Sequence, residues 1–312
     1  MEVYHKINKK KNIVVALGFF DGIHLAHRKI IKSITREAKK RNEKCAVISF
    51  EKNPANYFKE NPTFNIQSFK DKEILLSAYG VDYFYELNFE QYKEMTALEY
   101  LKDVIIKNLE PSVIYTGFNH TFGKDKEGTA DFLRKHATTF KYEYVAIPEE
   151  KIDGQTISST NIREFIEHGN LEDTKKMLGR NFSVRSSVIK GNGIARTLGF
   201  PTANLVWPNS MVKLPHGVYF GYAILDDKLK PALISWGKRP TVTQGQDEVL
   251  EAHILGVNKD IYGKIVNVIF EKKLRDEVTF AGLKDLVEQI KQDYIQFKKW
   301  AIVAQRKYPA LF

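Results

Sequence analysis

The rhythm of apolar and polar positions changes once along the chain. Residues Ile13 to Phe20 form an apolar run that gives way through Gly18 to Asp21-Gly22, the pattern of a buried strand breaking into a turn. Leu25, Ile30, Ile31, Ile34 and Ala38 then keep helical spacing, with Arg28, Lys29, Lys32, Arg36 and Lys39 between them, and Cys45 to Phe50 reads as the next strand. Strand, helix, strand is a crossover unit and implies a parallel sheet covered on both faces. The alternation continues: Ile74 to Tyr79 helical, Val81 to Leu87 extended, Ala97 to Leu109 amphipathic and helical, Ser112 to Gly117 and Tyr142 to Ile147 extended. This predicts a doubly wound, Rossmann-like α/β domain. Short helical patterns over Thr160 to Glu167 and Leu171 to Leu178 lead to Gly179, a helix stop.

Beyond Gly179 the runs are short, extended and separated by Gly and Pro: Phe182 to Ile189, Val218 to Leu225, Ala232 to Ser235, Leu250 to Leu255 and Ile265 to Phe270. They predict an antiparallel sheet or small β-barrel. Leu283, Leu286, Val287, Ile290, Tyr294 and Phe297 recur at helical intervals and give one long C-terminal helix. The expected domains are therefore 1–180 and 181–312.

A chain of 312 residues with 43% hydrophobic and 12% aromatic residues has material for two cores, which excludes wholesale disorder. The formal charge of +10 favours anionic partners and leaves nucleic acid, phosphorylated small molecules and membrane surfaces open. Cys45 is the single cysteine and lies in an apolar run, so it is expected as a buried thiol in a reducing compartment. The polar, lysine-rich segment Met1 to Lys11 and the lack of a long apolar stretch make a cytoplasmic location the expectation.

The densest chemistry of the first half is Gly18-Phe19-Phe20-Asp21-Gly22-Ile23-His24-Leu25-Ala26-His27, at a strand end and a helix start. Ligands of open α/β sheets bind at such strand ends, and a helix N-terminus offers N–H groups to a phosphate. His24 and His27, expected on one face of the first turn, are suited to hold phosphates and stabilise charge on an attacked phosphorus. Zinc ligation is disfavoured because no Glu follows the first His and no Cys or Asp cluster completes a site. The arrangement resembles the nucleotidyltransferase superfamily and its HxGH signature, with Ala26 where that signature has glycine. Ile157-Ser158-Ser159-Thr160-Asn161-Ile162-Arg163 matches the superfamily's ISSTxxR element, with Asn161 where a basic residue is usual. Tyr115 to Gly123, with Gly128 beyond, resembles the flavin-adenylating branch. The resemblance implies a nucleotide site of Gly18, Phe19, Asp21, His24, His27, Asn119, Ser159 and Arg163, with His24, His27 and Arg163 catalytic and Asn119 also touching flavin.

In the second half, Gly191-Asn192-Gly193-Ile194-Ala195-Arg196-Thr197-Leu198-Gly199-Phe200-Pro201-Thr202-Ala203-Asn204 is neither a Walker A loop nor a dinucleotide fingerprint. Its glycines suit a flap over phosphates, and the Thr202 hydroxyl and Asn204 carbonyl suit Mg²⁺. Together with Leu214 to Tyr219, Trp236 to Thr241, Leu250 to Ile254, Tyr262 to Lys264 and Leu274-Arg275, the segment resembles the riboflavin kinase fold. That resemblance implies Gly191, Gly193 and Thr202 on nucleotide, Thr202 and Asn204 on Mg²⁺, Arg275 on flavin, and Glu251 as general base. The two halves in this order resemble the bacterial bifunctional riboflavin kinase/FMN adenylyltransferase family. Membership implies ATP, riboflavin, FMN and FAD as substrates and products, Mg²⁺ as cofactor, no nucleic acid or membrane partner, and a monomer or weak homo-oligomer. A relative retaining one activity and a nucleic-acid-binding regulator are the alternative readings.

Overall fold

The computed structural model describes residues 1–191, 199–238 and 248–307 and divides into two compact units, Met1–Asn161 and Ile162–Phe312. In the first, strands β1 (Glu2–Tyr4), β2 (Ile13–Leu17), β3 (Lys44–Phe50), β4 (Tyr83–Leu87), β5 (Pro111–Gly117) and β6 (Glu143–Ile147) form one sheet in the order β1-β4-β3-β2-β5-β6. All its pairings are parallel. Alternate residues of β2 face opposite ways, as the two-residue period of a strand requires. Val14 and Ala16 join a core with Ile30, Ile31 and Ile34 of helix α1 (Leu25–Arg41) and Leu76 of α2 (Phe69–Ala78). Ile13, Val15 and Leu17 join a second core with Leu101, Ile105 and Leu109 and with Leu133 of the helix Ala130–Phe140. The sheet is thus covered on both faces, as expected.

The predicted helix over 97–109 departs from regular form. It opens as α3 (Ala97–Glu99), capped reciprocally by Thr96 and Glu99, widens into a π-helical stretch over Tyr100–Ile106, and ends as α4 (Lys107–Leu109). The helix Ala130–Phe140, α5, and the strand β1 were not anticipated. A two-residue hairpin pair, β7 (Lys151–Ile152) with β8 (Gln155–Thr156), precedes α6 (Ser159–Glu167) and α7 (Leu171–Leu178). The division between the units falls inside α6. Gly179, with φ of 63°, ends α7 in the left-handed conformation expected of a helix stop.

In the second unit β9 (Ser183–Ile189), β10 (Ala203–Leu205), β11 (Gly217–Leu225), β12 (Lys228–Lys238), β13 (Glu248–Ile254) and β14 (Ile265–Asp276) close into a barrel in the order β10-β13-β12-β11-β14-β9. Every pairing is antiparallel. Gly221 permits the close approach of β11 to β14, since a Cβ there would stand 1.9 Å from the Ile269 carbonyl oxygen. The C-terminal helix α8 (Leu283–Lys307) packs Phe297 and Ala301 against Phe220 of β11.

Candidate functional sites

The first motif folds as a tight turn between β2 and α1. Phe20 is left-handed at φ 53°, Gly22 stands at φ 80° and Ile23 at φ 36°, a rare conformation for a β-branched residue and a local reservoir of strain. Asp21 is buried, and its carboxylate accepts the Ile66 N–H at 2.9 and 3.1 Å. Asp21, expected at the nucleotide site, thus also braces the turn. His24 is the N-cap of α1 rather than a member of its first turn, and its Nδ1 accepts the His27 N–H at 3.3 Å. With Nδ1 accepting, the ring proton sits on Nε2, a donor. The two imidazoles stack with centroids 3.6 Å apart, and Phe20 meets His27 edge-on at 5.2 Å.

β5 lies beside β2 on the side opposite β3, so the strand order reverses between them. Crevices at such switch points are where open α/β sheets bind ligands. The turn carrying Asn119 leaves the C-terminal end of β5 there. Asn119 is exposed, its Oδ1 lies 3.8 Å from where a Cβ on Gly117 would stand, and His120 N–H donates to the Gly117 carbonyl. Burial pushes the His120 imidazole down to about 4, so it is neutral near pH 7. Gly123 and Gly128 are structural: Cβ atoms there would stand 2.5 Å from the Ala97 backbone and 2.6 Å from the Phe122 ring. Ser159, the first residue of α6, donates its hydroxyl to the Asp21 carbonyl at 3.0 Å, which ties the Ile157–Arg163 motif to the first. Asn161 Nδ2 is held by the Thr156 carbonyl, and Arg163 lies one turn along α6.

Beneath this turn sit residues that sequence reading did not single out. Ser49 at the end of β3 and Lys72 of α2 are both buried and both donate to the Phe19 carbonyl, at 2.8 and 2.9 Å. A lysine at a buried helix position carries no periodic signal, so only the fold exposes it. Gly18 packs under the Phe20 ring, 3.0 Å from where a Cβ would stand.

In the barrel, pairing register assembles the second cluster. Asn204 of β10 stands opposite Glu251 of β13, and Thr202 Oγ1 donates to Glu251 Oε2 at 3.2 Å. Leu250, Ala252 and Ile254 are buried while Glu251 and His253 take the other face, as the alternation predicts. Gly191 lies so close to Asn204 that a Cβ would come within 2.4 Å of its side-chain amide. His253 shares 2.9 Å between Nδ1 and the Pro201 carbonyl, and burial lowers its pKa. Gly193 lies outside the described residues. Arg275, expected on flavin, pairs its guanidinium with the buried Asp293 of α8 at 2.7, 3.0 and 3.1 Å. Such a bidentate pair holds α8 against the barrel.

Among the described residues no group of three or more His, Cys, Asp or Glu side chains could hold a metal, and no helix is long and apolar enough to cross a membrane. The model of the family described as FAD synthetase matches residues 6–161, and that of riboflavin kinase matches residues 178–301. The bifunctional riboflavin kinase/FMN adenylyltransferase of Escherichia coli K12 is 31% identical over 93% of each chain, and that of Buchnera aphidicola from Acyrthosiphon pisum is 30% identical over 95% of this chain and 96% of its own. A crystal structure from Streptococcus pneumoniae, described as a macrolide-efflux protein, superposes with a TM-score of 0.83 at 31% identity, covering 96% of this chain and 99% of that one. On these matches, one for each half and several end to end, the chain belongs to the bifunctional riboflavin kinase/FMN adenylyltransferase family.

Proposed function

We propose that the turn clusters of the parallel sheet perform adenylyl transfer and the Thr202–Asn204–Glu251 cluster performs phosphorylation. The chain is a bifunctional enzyme of FAD synthesis: riboflavin and ATP give FMN, and FMN and a second ATP give FAD and pyrophosphate. The observation that carries the assignment is the Ser159–Asp21 hydrogen bond at a switch-point crevice, because it gathers residues distant in sequence where a nucleotide is expected.

In the adenylyl site the FMN phosphate attacks the α-phosphorus of ATP and pyrophosphate leaves. His24, through Nε2–H, and His27 donate to the phosphate oxygens as charge builds on them. Gly18 and Phe19 line the nucleotide, Ser159 and Arg163 take the β- and γ-phosphates, and Asn119 reaches both ATP and FMN. In the kinase site Glu251 takes the proton of the ribityl 5'-hydroxyl as that oxygen attacks the γ-phosphorus. Gly191 and Gly193 contact the nucleotide. The donor set fits Mg²⁺: two hard side-chain oxygens, one of them on an amide held in place by a glycine with no room for a Cβ. Bound by Thr202 and Asn204 together with substrate phosphates, the ion would neutralise charge on the transferred group.

The working division is 1–180 and 181–312, in a cytoplasmic protein that is a monomer or weak homo-oligomer with small-molecule partners and none of nucleic acid or membrane. The test is incubation with ATP, Mg²⁺ and either riboflavin or FMN, aerobically and under reduction, with chromatographic separation of the flavins. FMN followed by FAD from riboflavin is the expected result. FAD from FMN alone, or FMN with no FAD, would remove one of the two activities.

A further inference from the structure

The turn that opens at Phe19 rests on buried charge. The Lys72 ammonium donates to the Phe19 carbonyl and, at 3.3 Å, to Ser49 Oγ, and it stands 4.4 Å from the centre of the Phe19 ring. Ser49 donates its own hydroxyl to the same carbonyl. The acidic groups facing the ammonium are Asp21 from the turn and Glu86 from β4, both buried; Glu86 also meets His5 at 3.6 Å and feels Glu51 and Glu73. Burial pushes Lys72 down to about 8 and Glu86 up to about 7. Removing an ammonium from water is costly unless it is paired and hydrogen-bonded, and an apolar side chain would fill this space more cheaply. The backbone acceptor that Lys72 serves is the carbonyl immediately before the left-handed Phe20. A trans peptide aims its N–H opposite its C=O, so pinning that carbonyl inward fixes the plane on which the whole turn is built.

We propose that Lys72, assisted by Ser49, is a positioning residue for adenylyl transfer: it pins the Phe19 carbonyl and thereby sets His24 and His27 for FAD formation, with no part in FMN formation. The inference rests on the adenylyl-site assignment above. The test measures kcat and KM of both reactions, across pH 6 to 10, for the native chain and for Lys72→Met, Lys72→Gln, Ser49→Ala and His27→Ala. Lys72→Met is expected to lower kcat for FAD formation about tenfold to a hundredfold, the scale of a small misplacement of catalytic groups, with smaller changes in KM and unaltered riboflavin phosphorylation. Lys72→Gln keeps an N–H donor and recovers part of the rate, and Ser49→Ala gives a smaller loss. In the native chain, FAD formation declines as pH rises through about 8 and the ammonium loses its proton, a limb that Lys72→Met lacks.

Native-like kcat in Lys72→Met, persistence of the limb in that variant, or a parallel fall in FMN formation would each overturn the proposal. Full FAD synthesis in His27→Ala would overturn the site assignment instead. Should Lys72→Met fail to fold, Ser49→Ala and the native pH profile decide: full activity in the one, or no alkaline limb in the other, sinks it.

Discussion

The two clusters are built by opposite means. In the parallel sheet, the participating residues sit on turns at the ends of different elements, and crossover topology brings Gly18 to His27, Asn119 and Ser159 to one end of the sheet. The turn holds Phe20 and Ile23 at positive φ, which costs on the order of 1–3 kcal/mol for each strained residue and persists only because Asp21, Ser49 and Lys72 over-determine it. In the barrel, Asn204 and Glu251 are register partners on adjacent strands, and the strands themselves do the positioning. A site made of turns is exposed to changes in the groups that brace it. A site made of register is exposed to changes in how closely its strands and connections pack.

The largest effects should separate the two outright. Glu251→Gln removes the proposed base while keeping its shape, and FMN formation should fall about 10²- to 10⁴-fold, the usual contribution of a general base. FAD formation from supplied FMN should stay within about twofold. His27→Ala should do the reverse, lowering FAD synthesis about 10²-fold or more, the scale of losing one transition-state donor. Flavin chromatography reads both. Equal loss of the two activities in either variant would break the comparison.

Both clusters were largely legible in the sequence, because turn and flap motifs are written in contiguous residues and the alternation about Glu251 names its face. What escaped was whatever depends on long-range pairing. β10 is three residues long and exists through its register with β9 and β13, so Ala203–Leu205 had no pattern of its own. β1 is likewise three residues, Glu2–Tyr4, made a strand by pairing with Tyr83 to Tyr85. α5 has Leu133 as its one fully buried residue, too little for a periodic signal. Lys72 escaped for a different reason: a polar residue inside a core contradicts the rule by which cores are read. The ion pair of Arg275 could be seen only once Asp293 of α8 was placed beside it.

A smaller effect sharpens the contrast in packing. Gly191→Ala would drive a Cβ to within 2.4 Å of the Asn204 amide, and overpacking of this kind costs about 1–3 kcal/mol. Because Asn204 is a proposed magnesium ligand, riboflavin phosphorylation should fall more than stability, and Mg²⁺ titration should show a raised requirement. Gly154→Ala in the first unit has open space around it and meets only the strain of φ 79°, so about 1 kcal/mol is expected there with both activities kept. Thermal melts with paired activity assays distinguish the two. An unchanged magnesium requirement in Gly191→Ala would detach Asn204 from the metal.

The smallest intervention leaves the chain unaltered. Cys45, the single cysteine, is 1% exposed in the first unit, and burial pushes its thiol up to about 11 from 9.0. At pH 7.5 it is almost wholly protonated and shielded, so alkylation should be slow until that unit opens. All three tryptophans, Trp207, Trp236 and Trp300, lie in the second unit, so their fluorescence reports its unfolding alone. Each unit has its own buried core, and urea should therefore give two transitions, one by thiol labelling and one by fluorescence, with different midpoints. The sign of the pH effect is fixed as well. Above pH 9 the unfolded thiol ionises while the buried one keeps its proton, so the folded state binds more protons and the first unit loses stability as pH rises from about 9 to 11. The labelling midpoint should fall over that range, and Cys45→Ala should abolish this part of the fall. Coincident midpoints at every pH would show that the two units, however differently their sites are built, unfold as one.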